Sequence, residues 1–213
     1  GIWGFQGGFM LLAVGAVLAA VVFFVGIVAF VYSVSKKLHA ERVSVLIGVA
    51  ISVVILGLLG SQFMAATSVP AIHNISTDTE QPPEFDRIVA LREAEGANPL
   101  AYVAEDLAQL QREAYPQVQP LISQVAPGEM VNRAVQVMEG MGLTIVNTNS
   151  SAGIVEATDS TFWFGFKDDV VVRVRPEGGG SVVDIRSVSR VGQSDLGKNA
   201  ARISEILAGL KAI

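Results

Sequence analysis

The chain opens with two long apolar runs and then changes to a mixed pattern of helical and strand periodicity. Residues 9–34 (FMLLAVGAVLAAVVFFVGIVAFVYSV) carry no charge, and residues 43–67 (VSVLIGVAISVVILGLLGSQFMAAT) carry none either, with Gln62 as their most polar side chain. A helix over the first run is roughly 39 Å long, against a hydrocarbon core of about 30 Å. Each run therefore predicts a membrane-spanning helix. Between them the loop 36–42 holds Lys36, Lys37 and Arg42 against Glu41. The positive-inside rule makes this loop cytoplasmic and sends Gly1 and everything after residue 67 to the far side, the periplasm of a Gram-negative inner membrane. A chain that starts at Gly1 leaves room for a preceding segment, and an additional helix there is compatible with this orientation.

Residues 70–98, with Pro82-Pro83 and many acids, predict an extended linker containing a short helix over 85–95. Leu100, Val103, Leu107 and Leu110 predict a helix over 99–114, which Tyr115-Pro116 ends. Val131, Ala134, Val135 and Met138 predict another over 128–141. The period then becomes two, giving strands at 143–148, 153–158, 161–166, 168–175 and 181–190, joined by short turns and hence antiparallel. A last helix over 196–212 has Ser194 or Asp195 as its N-cap and Ala200, Ile203, Ile206, Leu207 and Leu210 as its buried stripe. The expected architecture is a membrane-anchored α+β protein with a membrane region at 1–69, a linker at 70–98 and a soluble domain at 99–213. In that domain helices cover one face of an antiparallel sheet.

Composition narrows the chemistry. The chain has no cysteine, which excludes disulfides, thiolate metal sites and cysteine nucleophiles. Its net charge is −5, residues 70–129 are acidic, with three basic and ten acidic side chains, residues 130–213 are balanced, and nothing resembles the basic footprint of a nucleic-acid binder. The two histidines, His39 and His73, lie on opposite sides of the second apolar run. His73 with Asp78 and Glu80 matches no metal-site spacing, so no metal or cofactor is expected. Gly192-Gln193-Ser194-Asp195-Leu196-Gly197 fails as a nucleophile elbow because Leu196 stands where glycine is needed. No enzyme activity is expected.

Strand alternation puts Asp169, Val171, Arg173 and Arg175 on one face, and Asp184, Arg186, Val188 and Arg190 on one face of the next strand. If these faces adjoin they form a ladder of arginines and aspartates, a structural salt-bridge lattice on a solvated face or under a loop. A functional alternative groups Arg186, Arg190, Ser194, Asn199 and Arg202 around the N-terminus of the last helix as a site for an anion or lipid headgroup. Asp195 argues against that alternative, because a capping carboxylate takes the same donors. Candidate partner contacts are Gly57 and Gly60, where small residues permit close helix approach, and Trp3 and Trp163 as aromatic anchors. Phe162, Phe164 and Phe166 are expected in the core.

The string Asp168-Asp169, Arg186-Ser187-Val188-Ser189-Arg190, Gly192, Ser194-Asp195-Leu196-Gly197, Asn199 and Arg202, with PAIHNISTDTEQPPEF upstream, resembles a bacterial and plastid family of domains of unknown function, numbered 1499. The resemblance runs from about Pro70 to the end. It implies membrane helices ahead of the domain, which are common in that family, and implies no activity. The residues themselves favour an accessory or structural subunit, held in the bilayer beside other integral membrane subunits. A periplasmic module for an anionic ligand or lipid headgroup is the alternative.

Overall fold

The computed structural model describes residues 5–161 and 165–212. The chain divides into two compact units, an N-terminal helical pair and a domain beginning at Val69. In the first, α1 (Phe5–Ser35) and α2 (His39–Thr67) are both long and apolar enough to cross a membrane. A tight turn at 36–38 joins them, closed by the Lys36 amide on the Tyr32 carbonyl at 3.0 Å and the Leu38 amide on the Ser33 carbonyl at 2.9 Å. Such a short turn forces the helices to lie antiparallel and fixes their register. That register sets Gly26 against Val49, where a Cβ would lie 2.6 Å from Val49 Cγ2, and Gly48 against Val22. Within the hairpin the close seam is therefore at Gly26, while Gly57 and Gly60 are exposed with nothing within 4 Å of a Cβ. Ser52, buried in the apolar run, donates to the Gly48 carbonyl of its own helix at 2.9 Å, so no hydroxyl proton is stranded there.

The second unit is α+β. Its strands are β1 (Asn74–Ser76), β2 (Leu121–Ser123), β3 (Thr144–Asn149), β4 (Ile154–Ser160), β5 (Lys167–Glu177) and β6 (Gly180–Ser189), and all pairings are antiparallel. The sheet runs β1-β6-β5-β4-β3, with β2 also on β6. β1 pairs with residues 186–188 of β6 and β2 with 181–183, so two short strands share one edge. The helices are α3 (Arg87–Glu95), α4 (Ala104–Ala114), α5 (Pro127–Gly140) and α6 (Lys198–Ala212).

Alternation in β5 and β6 sorts the two faces. Val170, Val172, Val174, Val183 and Ile185 join Met130, Val131, Ala134 and Met138 of α5 and Ile203, Ile206, Leu207 and Leu210 of α6 in one core. Each of the Val, Ile, Leu and Met side chains among them contributes about 1.5–3 kcal/mol when fully buried. The opposite face is covered as well. The segment between β1 and α4, with α3 inside it, lies over Glu156, Asp169, Asp184 and Arg186, which are all buried.

This corrects the linker expected at 70–98. Ile72 and Ile75 sit in the main core, β1 is part of the sheet, and Ile88 of α3 is fully buried. The acids and prolines of this stretch gave it a solvated look, although three isoleucines anchor it. The expected helix over 99–114 begins only at Ala104, because residues 99–103 run without helix over the charged face. Thr161, Gly165 and Phe166 are not in a strand, and the rest of the expected strand at 161–166 lies outside the described residues. A Cβ on Gly153, whose φ is +68°, would overlap the Val174 carbonyl oxygen, which ties the β3–β4 turn to β5.

Candidate functional site

The charged face is organised around Asp169, which is fully buried. Arg190 grips it with Nε on Oδ2 at 2.9 Å and Nη2 on Oδ1 at 2.8 Å. Arg92 of α3 adds Nη1 on Oδ2 at 2.7 Å, and the Thr158 hydroxyl donates to Oδ1 at 2.7 Å. Arg92 also donates to the carbonyls of Asn98, Val188 and Ser189, so one guanidinium ties α3, the strand end and the 97–103 segment together. Burial lowers the Arg92 pKa, whereas hydrogen bonding to Asp169 raises that of Arg190.

Arg186, at 4% exposure, has no carboxylate in its hydrogen-bond set. Its Nε donates to Asn74 Oδ1 at 3.0 Å, Nη1 to the Pro83 carbonyl at 3.1 Å and Nη2 to the Leu100 carbonyl. Its guanidinium carbon lies 5.5 Å from the Phe85 ring centroid and 5.8 Å from that of Tyr102. Burial pushes its pKa down to about 10, so it stays charged at neutral pH. One cation thus fastens β1, the 77–86 segment and the 97–103 segment to β6.

Two further carboxylates complete this face. Asp184 Oδ2 accepts from Arg173 Nη2 at 2.9 Å and Arg175 Nη2 at 2.8 Å, and Arg173 reaches on to Asp78 at 3.0 Å. Glu156, fully buried, accepts from the amides of Asp86 at 2.7 Å and Arg87 at 2.9 Å and from Asn147 Nδ2 at 2.9 Å. It caps α3 from a distant strand in place of a local side chain, since Asp86 makes no side-chain cap.

On the other face Arg202 of α6 bonds Asp159 at 2.6 Å, Asp168 at 2.8 Å, Ser187 Oγ at 3.1 Å and Asn199 Oδ1 at 2.7 Å. Asn199 spans to the His73 carbonyl and Ser189 Oγ, both at 3.0 Å. Asp195 takes the amides of Gly197 at 2.9 Å and Asn199 at 2.7 Å, occupying the donors that lead into α6. Burial raises its pKa against those two bonds. Leu196 stands exposed at φ +56°, and its amide donates to Ser194 Oγ at 3.2 Å.

The five residues grouped as an anion site therefore do not converge. Arg186 and Arg190 lie on the face under α3, Asn199 and Arg202 on the face under α6, and Ser194 in the loop between strand and helix. Strand alternation is the reason, because the residues at 186 and 190 point away from those at 187 and 189, which meet α6. Trp3 and Trp163 lie outside the described residues, as do Phe162 and Phe164. Sequence reasoning missed Asn74, Arg92, Asn98 and Glu156. A charged residue four positions after Ile88 on one helix face was a signal for Arg92, and a lone acid between Val155 and Ala157 was one for Glu156. Among the described residues no group of three His, Asp or Glu side chains is placed to hold a metal.

No curated protein matches the chain. Residues 74–210 match the model of a family described as proteins of unknown function, DUF1499. That span includes all six strands, the capping Glu156, the Asp169 and Arg186 clusters and most of α6. It covers well over half of the sequence, and the chain belongs to the DUF1499 family.

Proposed function

We propose that this protein is a non-enzymatic, membrane-anchored accessory or structural subunit of a larger membrane complex. In this reading α1 and α2 span a bacterial inner membrane, the basic segment 36–42, formed by the turn and the start of α2, is cytoplasmic and the α+β domain is periplasmic. The observation that carries it is the open face of α2. Gly57 and Gly60 have no neighbour within the hairpin, whose seam is made by Gly26 and Gly48 instead, so that face is free for a helix of another subunit.

The charged clusters support the same reading. Asp169, Glu156 and Arg202 are saturated by partners from their own domain and serve to close segments over the sheet. The test is Gly57→Leu with Gly60→Leu, followed by mild detergent extraction and native sizing. The wild-type chain is expected to migrate with a stoichiometric membrane partner and the variant to migrate alone. Equal migration of the two as a small species contradicts the proposal.

A further inference from the structure

Glu95, the last residue of α3, reaches Lys167 Nζ at 2.6 Å and Arg190 Nη1 at 2.8 Å. It does so in an open groove of about 270 Å³, which Leu91 and Val146 line together with Thr144, Thr158, Ser160 and the two cations. Arg190 is held by Asp169 through Nε and Nη2 and is 5% exposed, so its Nη1 points into the groove whatever Glu95 does. That leaves a fixed guanidinium donor and a half-exposed ammonium converging on one oxyanion position.

Glu95 is poorly suited to be the permanent occupant. It sits at the C-terminal end of its helix, where the helix dipole disfavours a carboxylate, and its side chain is 43% exposed. The hydrogen bonds from Lys167 and Arg190 still hold its carboxyl below the ordinary range, which marks the position as one that favours an anion.

We propose that this groove binds a single oxyanion, carboxylate or phosphate, carried on a molecule with a short apolar portion, and that Glu95 is an internal stand-in which the ligand displaces. Lys167 and Arg190 hold the oxyanion, and Leu91 and Val146 meet the apolar portion. The inference does not depend on the accessory-subunit reading.

The test uses the full chain in phosphatidylcholine nanodiscs, with the methyl signals of Leu91 and Val146 followed by NMR. Hexanoate and inorganic phosphate are titrated separately, and a third sample replaces part of the lipid with phosphatidylglycerol. A saturable shift is expected with at least one probe. Glu95→Gln, which removes the internal competitor, should bind that probe about three- to tenfold more tightly, and Lys167→Met about tenfold more weakly. A shift seen only with phosphatidylglycerol identifies a lipid headgroup as the source, and a shift with the soluble probes identifies a free anion. Both substitutions lie on the exposed rim, so the domain stays folded. No saturable shift in Glu95→Gln with any probe, or equal binding by Lys167→Met and the wild type, overturns the proposal.

Discussion

Asp169 and Arg190 share two parallel hydrogen bonds, at 2.9 and 2.8 Å, beneath a helix that supplies a second arginine to the same carboxylate. Replacing the acid leaves Arg92 as a buried cation without a counter-charge and Arg190 with only the half-exposed Glu95. Asp169→Asn is expected to destabilise the domain by about 3–5 kcal/mol, the range for breaking a buried pair from one side. Urea unfolding of the full chain in detergent measures it, and a change below about 1 kcal/mol contradicts the role given to Asp169.

Arg186 makes a different prediction, because carbonyl oxygens and rings surround it where a carboxylate is usual. Arg186→Ala strands the Pro83 and Leu100 carbonyls and should cost about 3 kcal/mol or more. Arg186→Lys recovers little of this, since one ammonium lacks the planar fork that spans three segments. Limited proteolysis within 77–103 should accelerate in both variants. Full resistance to cleavage in the alanine variant contradicts the fastening role.

Glu156→Gln tests the remote cap of α3. The amide retains one acceptor oxygen and presents an N–H₂ group to amides that also need an acceptor, at a cost of about 1–2 kcal/mol. Hydrogen exchange at Arg87 and Ile88 should speed up well before exchange in β5 changes. Uniform loss of protection across the domain argues that Glu156 holds the core and not the helix end.

The pH dependence of stability should change in Asp195→Asn. Burial raises the Asp195 carboxyl above its ordinary 3.8, so the folded chain keeps this proton to higher pH than the unfolded chain does. The stability tied to that proton is present below the unfolded value and is lost as pH rises through the folded one. Glu95 acts in the opposite sense, its contribution fading as pH falls, but it is common to both proteins and cancels in the comparison. Asp195→Asn should therefore gain stability relative to the wild type over the range from 3.8 up through the raised folded value. A difference that stays constant over that range contradicts the assignment.

Much of this architecture was legible in the sequence because the apolar side chains alternate with the strand period. Val170, Val172 and Val174 alternate with Asp169, Val171 and Arg173, and that alternation alone places the charged ladder on one face of the sheet. The apolar runs and the stripe of α6 were equally clear. Less was legible where a segment takes its order from distant partners. β1 has three residues and is ordered by β6, more than a hundred positions away, so no local pattern marks it as a strand. α3 is capped by Glu156, some seventy residues later, and the anchoring isoleucines of the 70–98 stretch are spread among acids and prolines. The grouping of Arg186 with Arg202 failed for a related reason: proximity in sequence near the β6–α6 loop conceals that the sheet lies between them.

The most direct measurement of the central claim is the native mass of the full-length chain, extracted from its own membrane under mild detergent with its co-migrating proteins identified. A stoichiometric assembly with at least one other integral membrane protein is expected, resistant to high salt because apolar helix faces hold it. A chain that runs as a monomer, or only with copies of itself, contradicts the accessory-subunit role.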